Sequence, residues 1–223
     1  MRPLSVIPLF IASLLLFASP LLAQSGPPKQ EKLVFENQFV KVYELTIQPG
    51  ERLPEHHGGN RLVYTLNDAK LLYHWQGKAY EEKRKAGEVH FHPEAAHAEE
   101  NAGKTTVHQI IVERQNLPLP PANGTGLDMA AANPNNTKVI FDRDMAKVFE
   151  VTLQPKDAAS MHYCMDRLVY APQSSQFNLI GSDGSKTKQS LKKGACQWYP
   201  SGLQALENTS GARETLVVFA FKK

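Results

Sequence analysis

The chain has 223 residues, 42% of them hydrophobic and 21% charged, with a formal net charge of +3. That length allows one large domain or two small ones with real cores. The charge is too mild to argue for nucleic acid or a membrane surface as a partner. Two cysteines, Cys164 and Cys196, do not make a disulfide-held scaffold, and geometry rather than sequence decides whether they bridge.

Residues 1–23 read as a secretory signal. Arg2 supplies the positive start, an apolar run extends from Leu4 to Phe17, and "ASPLLA" offers a small-residue cleavage site before Gln24. The apolar run is shorter than the ~20 residues a bilayer-spanning helix needs. The expectation is export to the periplasm or beyond, cleavage near Ala23, and no stable membrane anchor afterwards.

From residue 24 onward the periodicity is that of strands. "VKVYELTI" places Tyr43, Leu45 and Ile47 on one face and Val42, Glu44 and Thr46 on the other. "RLVYTL", "KLLYHW", "VHFHP" and "HQIIVE" are further short β-rich runs, separated by Pro-Gly, Asn-Asp and Gln-Gly turns. Next comes "RQNLPLPPANGTGLDMAAANPNN", a connector rich in Pro, Gly and Asn with room for one helical turn at "LDMAAAN". "AKVFEVTL", a second "RLVY" and "ETLVVFAF" then repeat the strand pattern.

The two halves repeat each other. Phe35, Glu44, Gln48, Pro49, His56, Arg61 and Tyr64 recur as Phe141, Glu150, Gln154, Pro155, His162, Arg167 and Tyr170, and "GEVHFHPEAAHAEEN" answers "GACQWYPSGLQALEN". Such repetition means a duplicated structural unit. The predicted organisation is a signal peptide over 1–23, one β-domain over 24–114, a connector over 115–136 and a second β-domain over 137–223. Two small barrels joined this way are expected to pack on each other.

Gly50, five residues, His56 and a following "LVY" strand resemble the first motif of the cupin superfamily. Gly87, five residues, Pro93, His97 and Asn101 resemble its second motif, and the frame recurs at Lys156, His162, Gly194, Pro200 and Asn208. The resemblance covers nearly the whole chain after the signal and implies a bicupin: an all-β protein of two tandem double-stranded jelly-roll barrels. It is similar to small exported bacterial cupins of unassigned activity. In metal-binding cupins, two histidines, a glutamate and a third histidine converge on one ion.

Carried over position by position, that set is incomplete. In the first half it falls on His56, Gly58 (with His57 as a substitute), Arg61 and His97; in the second, on His162, Cys164, Arg167 and Gln204. A guanidinium stays protonated and has no lone pair for a metal. Alternation turns Arg61 inward with Val63 and Thr65. A buried arginine needs an acceptor, and two accounts stand. One is an internal pair with Glu44, repeated as Arg167 with Glu150. The other is a guanidinium that, with the imidazoles, holds a carboxylate or another anion.

His90 and His92 share a strand face and can join a histidine-rich pocket binding zinc or copper, or can lie outside it as surface groups. His74 and His108 are expected to be structural.

Three functions follow. The leading one is a binder of a small anionic or polar molecule, held in the first barrel by Arg61, His56 and His97 with His90 and His92. The second is a metal-dependent isomerase, lyase or oxygenase, with zinc, copper, iron or manganese on His56, His57 and His97. The third is a structural protein with filled barrels. In the second barrel His162, Cys164, Arg167 and Gln204 mark the pocket. A small-molecule partner is expected, nucleic acid is not, and a homodimer is allowed. No phosphate-cradling glycine loop, Gly-x-Ser-x-Gly or His-Glu-x-x-His competes with these readings.

Overall fold

The structure is a computed structural model and describes residues 28–121 and 124–223. The signal-peptide reading of Met1–Ala23 lies outside the described residues. The first half forms β1 (Glu31–Glu36), β2 (Val40–Ile47), β3 (His56–Gly58), β4 (Arg61–Thr65), β5 (Ala69–Trp75), β6 (Lys78–Arg84), β7 (Val89–His92), β8 (Ala95–Asn101) and β9 (Val107–Arg114). A single helical turn, α1 (Met129–Ala132), follows. Asp128 caps it, accepting a bond from Ala131 N at 2.8 Å. The second half then repeats the set as β10 (Thr137–Arg143), β11 (Ala146–Leu153), β12 (Ala158–Cys164), β13 (Arg167–Tyr170), β14 (Ser175–Gly181), β15 (Lys186–Leu191), β16 (Cys196–Tyr199), β17 (Gly202–Asn208) and β18 (Glu214–Phe221).

Each half folds two antiparallel sheets against each other. In the first the orders are β1-β2-β9-β4-β7 and β3-β8-β5-β6; in the second, β10-β11-β18-β13-β16 and β12-β17-β14-β15. Neighbouring strands that are distant in sequence, such as β2 beside β9, give the crossed connections of a jelly roll. Even an irregularity is duplicated. The β1–β2 register shifts between Leu33 and Phe35, and the β10–β11 register shifts between Val139 and Phe141.

Alternation along β2 divides its residues between two cores. Tyr43, Leu45 and Ile47 line the inside of the first barrel with Leu53, Val63, Leu71 and Ile111. Val40 and Val42 face the other way, into a core shared with Leu62, Tyr64, Val112, Val148, Leu168, Tyr170 and Phe219. That shared core is the junction between the barrels. Equivalent residues meet there, Tyr64 against Tyr170 edge to face at 6.1 Å, which marks a pseudo-two-fold axis. The five-stranded sheets therefore carry apolar residues on both faces, as expected of a sheet covered on both sides, with a charged cluster set into the inner face of the first.

Asn101 and Asn208 close the two repeats in the same way. Asn101 donates to Ile47 O and Thr105 O; Asn208 donates to Leu153 O, Gln154 O and Ala212 O. Both are buried. Cys164 and Cys196 are unbonded. Cys164 faces its barrel interior, whereas Cys196 packs against the junction between the barrels.

Candidate metal centre

The first-barrel site starts from β3 and β8, which pair His56 with His97. Both imidazoles are almost fully buried, with ring centroids 4.5 Å apart. Each is pinned by its Nδ1: His56 contacts Pro54 O at 3.0 Å and His97 contacts Ala95 O at 3.2 Å. A carbonyl only accepts, so each Nδ1 carries a proton; Nε2 offers a lone pair in the neutral ring and an N–H towards the nearby carboxylate in the charged one. Neither Nε2 has a hydrogen-bond partner among the described residues. Ligating histidines in metal sites are prepared in this way, with one nitrogen held by a carbonyl and the other aimed at the ion.

Two glutamates approach this pair, and a third reaches the neighbouring Arg61. Glu99, two residues beyond His97 on β8, brings Oε1 to 3.5 Å from His97 Nε2. Glu31, from β1, stands 3.7 Å from His56 Nε2 and 3.1 Å from Arg61 Nη1. Glu113, from β9, lies 3.5 Å from Arg61 Nη2 and also accepts from Gly59 N. Tyr73 stacks on His97 at 4.9 Å and meets His92 edge-on at 5.3 Å.

Arg61 is buried and turned inward, but its partners are Glu31 and Glu113. The pairing with Glu44 predicted above does not occur. Glu44 shares the outward face of β2 with Val42 and bonds His108 at 2.7 Å. Glu150 likewise sits on the outward face of β11 and does not meet Arg167, which donates to Met165 O and Pro200 O and lies over the Tyr199 ring at 5.2 Å. Parity excludes both pairings, because arginine and glutamate stand on opposite faces of one sheet.

His57 is a second correction. It pairs with Ala96 in the His56–His97 register, so its side chain points away from theirs. It is exposed and reaches Glu94 at 3.1 Å, and cannot substitute for a ligand at position 58. His74 stands 3.6 Å from Glu100.

His90 and His92 do turn inward. They pair with Val63 and Arg61 on the interior face of β4. Their rings lie 4.7 Å apart, and His92 lies 6.1 Å from His97.

The electrostatics follow from burial. Burial first, and the nearby His97 and Arg61 charges, hold His56 below the ordinary imidazole range against the pull of Pro54 O. Burial pushes His92 down to about 4 and His90 to about 2. For Glu31 burial raises the carboxyl, and Arg61 only partly offsets it. Burial also raises Glu99, but the surrounding imidazoles of His97, His92 and His56 outweigh it and hold the carboxyl below its usual range. Three carboxyls against one guanidinium make the interior favourable to a cation. A cleft of about 550 Å³, bordered by Lys41, His57, Asn60, Glu94 and Glu113, opens outside the Arg61–Glu113 pair. A wider groove of about 950 Å³ runs past Phe91, Phe141 and Asp142, on the face of β7 opposite His92.

The second barrel keeps the histidine and loses the acids. Cross-strand register makes Thr137, Leu206 and Ala220 the counterparts of Glu31, Glu99 and Glu113. His162 repeats the pinned geometry, with Nδ1 2.7 Å from Ser160 O and Nε2 without a hydrogen-bond partner among the described residues. Gln204 Nε2 approaches Cys164 Sγ at 3.1 Å. Phe177, Leu179, Leu206 and Val218 fill the space beside His162 and Gln204 and leave about 20 Å³ there, room for roughly one water, while a pocket of about 320 Å³ bordered by Phe149, Cys164, Arg167 and Val218 opens beside it. Burial raises the Cys164 thiol, against the opposing effects of Arg167 and the Gln204 hydrogen bond.

Glu31, Glu99 and Glu113 stand outside the motif positions that the repeat marks. The spacing His97–Glu99–Asn101 on one strand could have revealed Glu99, since all three share a face.

The sequence matches no protein-family model and no curated protein. Solved structures do match the fold. AerE from Microcystis aeruginosa superposes with a TM-score of 0.58 at 13% identity, over 88% of this chain and 98% of that one. Oxalate decarboxylase from Bacillus subtilis gives 0.59 at 10% identity, over 90% of this chain and 78% of that one. This is a bicupin fold. The coconut allergen cocosin also matches, with a TM-score of 0.56 at 14% identity, over 81% of this chain and 76% of that one. A decarboxylase and an allergen on one architecture show that the bicupin frame does not choose a function. The site must do so.

Proposed function

We propose that this bicupin binds a divalent transition metal in its first barrel, on His56 Nε2 and His97 Nε2 with the Glu99 carboxylate, and uses it on a small oxygen-bearing molecule. The observation that carries the reading is the pair of buried Nε2 atoms, each with its Nδ1 held by a carbonyl, no hydrogen-bond partner among the described residues, and a carboxylate within 4 Å. A lone pair buried without a partner costs about 1–3 kcal/mol, and a bond to a metal ion removes that cost. Imidazole with carboxylate suits zinc, iron, manganese or copper.

A bound ion supplies Lewis-acid polarisation of a substrate oxygen. This chain's own residues would do the rest. Glu31 stands between His56 and Arg61, and with its raised proton affinity it can hold or yield a proton there. Arg61 spends two nitrogens on Glu31 and Glu113, while its buried Nε has no acceptor among the described residues. That N–H is available to orient a substrate oxygen. The second barrel, packed with apolar side chains, is read as the scaffold.

Elemental analysis of natively purified protein tests the reading. It expects near one metal per chain at this site, lost in His97→Ala and in His56→Ala. Full metal retention in both variants overturns it. The spare Arg61 Nε–H also supports a second reading, a metal-free binder of a small carboxylate. A thermal shift with small carboxylates that persists after chelation and disappears in Arg61→Gln favours that reading instead. Export is proposed separately, on Met1–Ala23 alone. A mature protein beginning at Gln24 supports it, and one retaining residues 2–23 overturns it.

A further inference from the structure

β6 and β7 are the end strands of the two sheets of the first barrel. No ladder joins them, so side chains must close the seam between them. In the second barrel the corresponding strands are β15 and β16. There Tyr199 Oη donates to Gln189 Oε1 at 2.9 Å, a direct bond across the seam. Register makes Gln189, Gln197 and Tyr199 the counterparts of Glu82, His90 and His92. The duplicated fold thus has two different chemistries at one position.

In the first barrel Glu82, His90 and His92 converge. One ligand atom from each lies within 4.8 Å of the others. His90 Nδ1 is buried without a hydrogen-bond partner among the described residues. Arg84 Nη2 holds Glu82 Oε2 at 2.5 Å, which positions the carboxylate and leaves its other oxygen outside that bond. Around a tetrahedral ion with bonds of ~2.0–2.2 Å the ligand atoms stand ~3.3 Å apart. The three side chains reach that spacing by closing in by about 1 Å.

We infer that Glu82, His90 and His92 form a second metal site, distinct from the one at His56 and His97, in which a zinc-class divalent ion joins the two sheet edges where the sister barrel uses a Tyr–Gln hydrogen bond. Two imidazoles and a carboxylate are a ligand set that zinc accepts, with a fourth position for water. The role is to close the seam. It does not depend on the central site, because none of its three ligands is assigned there.

The test uses the full-length protein, stripped with EDTA and titrated with zinc. His90→Gln and Glu82→Gln carry the residues that the second barrel already tolerates at these places. Each is expected to lose one equivalent of zinc relative to wild type and to lose the matching part of the zinc-dependent rise in Tm, while His97→Ala loses only the central ion and keeps the seam's equivalent and its share of that rise. The triple change Glu82→Gln, His90→Gln, His92→Tyr rebuilds the sister barrel's bond and should make the seam's stability indifferent to EDTA. Unchanged zinc stoichiometry in both single variants overturns the inference even if His97→Ala loses its metal. So does a wild-type protein that binds no zinc.

Discussion

Gly58 and Arg61 fit together as one unit. A Cβ on residue 58 would stand 1.7 Å from Arg61 Nη2, so the guanidinium occupies the space that any side chain at 58 would need. The absence of a side chain there lets Arg61 reach Glu31 and Glu113. In the second barrel that position is Cys164, and Arg167 is turned instead to Pro200 O and the Tyr199 ring. The residue at this place and the acids beyond it, absent from the second barrel at Thr137 and Ala220, thus set where each buried arginine makes its bonds.

Gly58→Ala is therefore expected to cost on the order of 3 kcal/mol, because it drives the guanidinium from a buried ion pair. In an Arg61→Met background the same change should cost under about 1 kcal/mol. Urea denaturation of the four proteins closes the double-mutant cycle. Equal costs in both backgrounds would refute the fit.

The two arginines should differ when removed. Arg61→Met leaves Glu31 buried without its partner and is expected to cost about 3–5 kcal/mol. Arg167→Met strands only carbonyl acceptors, for about 1–3 kcal/mol. The comparison is read from the same denaturation midpoints, and a larger loss for Arg167→Met contradicts the charge assignment.

Neighbouring histidines should behave oppositely toward metal. His57→Ala removes an exposed ring paired with Glu94 and should leave metal content unchanged, whereas His56→Ala should remove the central ion. Equal loss in both would return His57 to the ligand set.

His162 makes acid costly for the second barrel. Burial depresses its folded proton affinity below the ordinary value near 6.5. The unfolded chain then binds more protons, so stability is complete above about pH 6.5 and falls as the pH drops toward the depressed folded value. Unfolding curves of EDTA-treated protein between pH 7.5 and 4.5, as order-of-magnitude bounds on that window, should show this slope, reduced in His162→Gln. An identical slope in the variant rules out His162 as the source.

Much of this molecule is legible along the chain. The duplication, the strand periods, the helical turn at Met129 and the inward arginines follow from local alternation, because a strand's side chains take faces by parity alone. His56 and His97 could be singled out by their places in the repeat.

The acids could not. In "EKLVFE" simple alternation puts Glu31 on the face of Phe35. The bulge between Leu33 and Phe35 breaks that parity, so Glu31 faces inward with Leu45 while Phe35 faces the barrel junction with Val42. Glu113 reaches Arg61 only because β9 lies beside β4. The sequence by itself determined two jelly rolls, each with a cation where the motif expects an acid. Tertiary structure alone decided which carboxylates meet that cation, since a bulge and a crossover connection set contacts that no local spacing encodes.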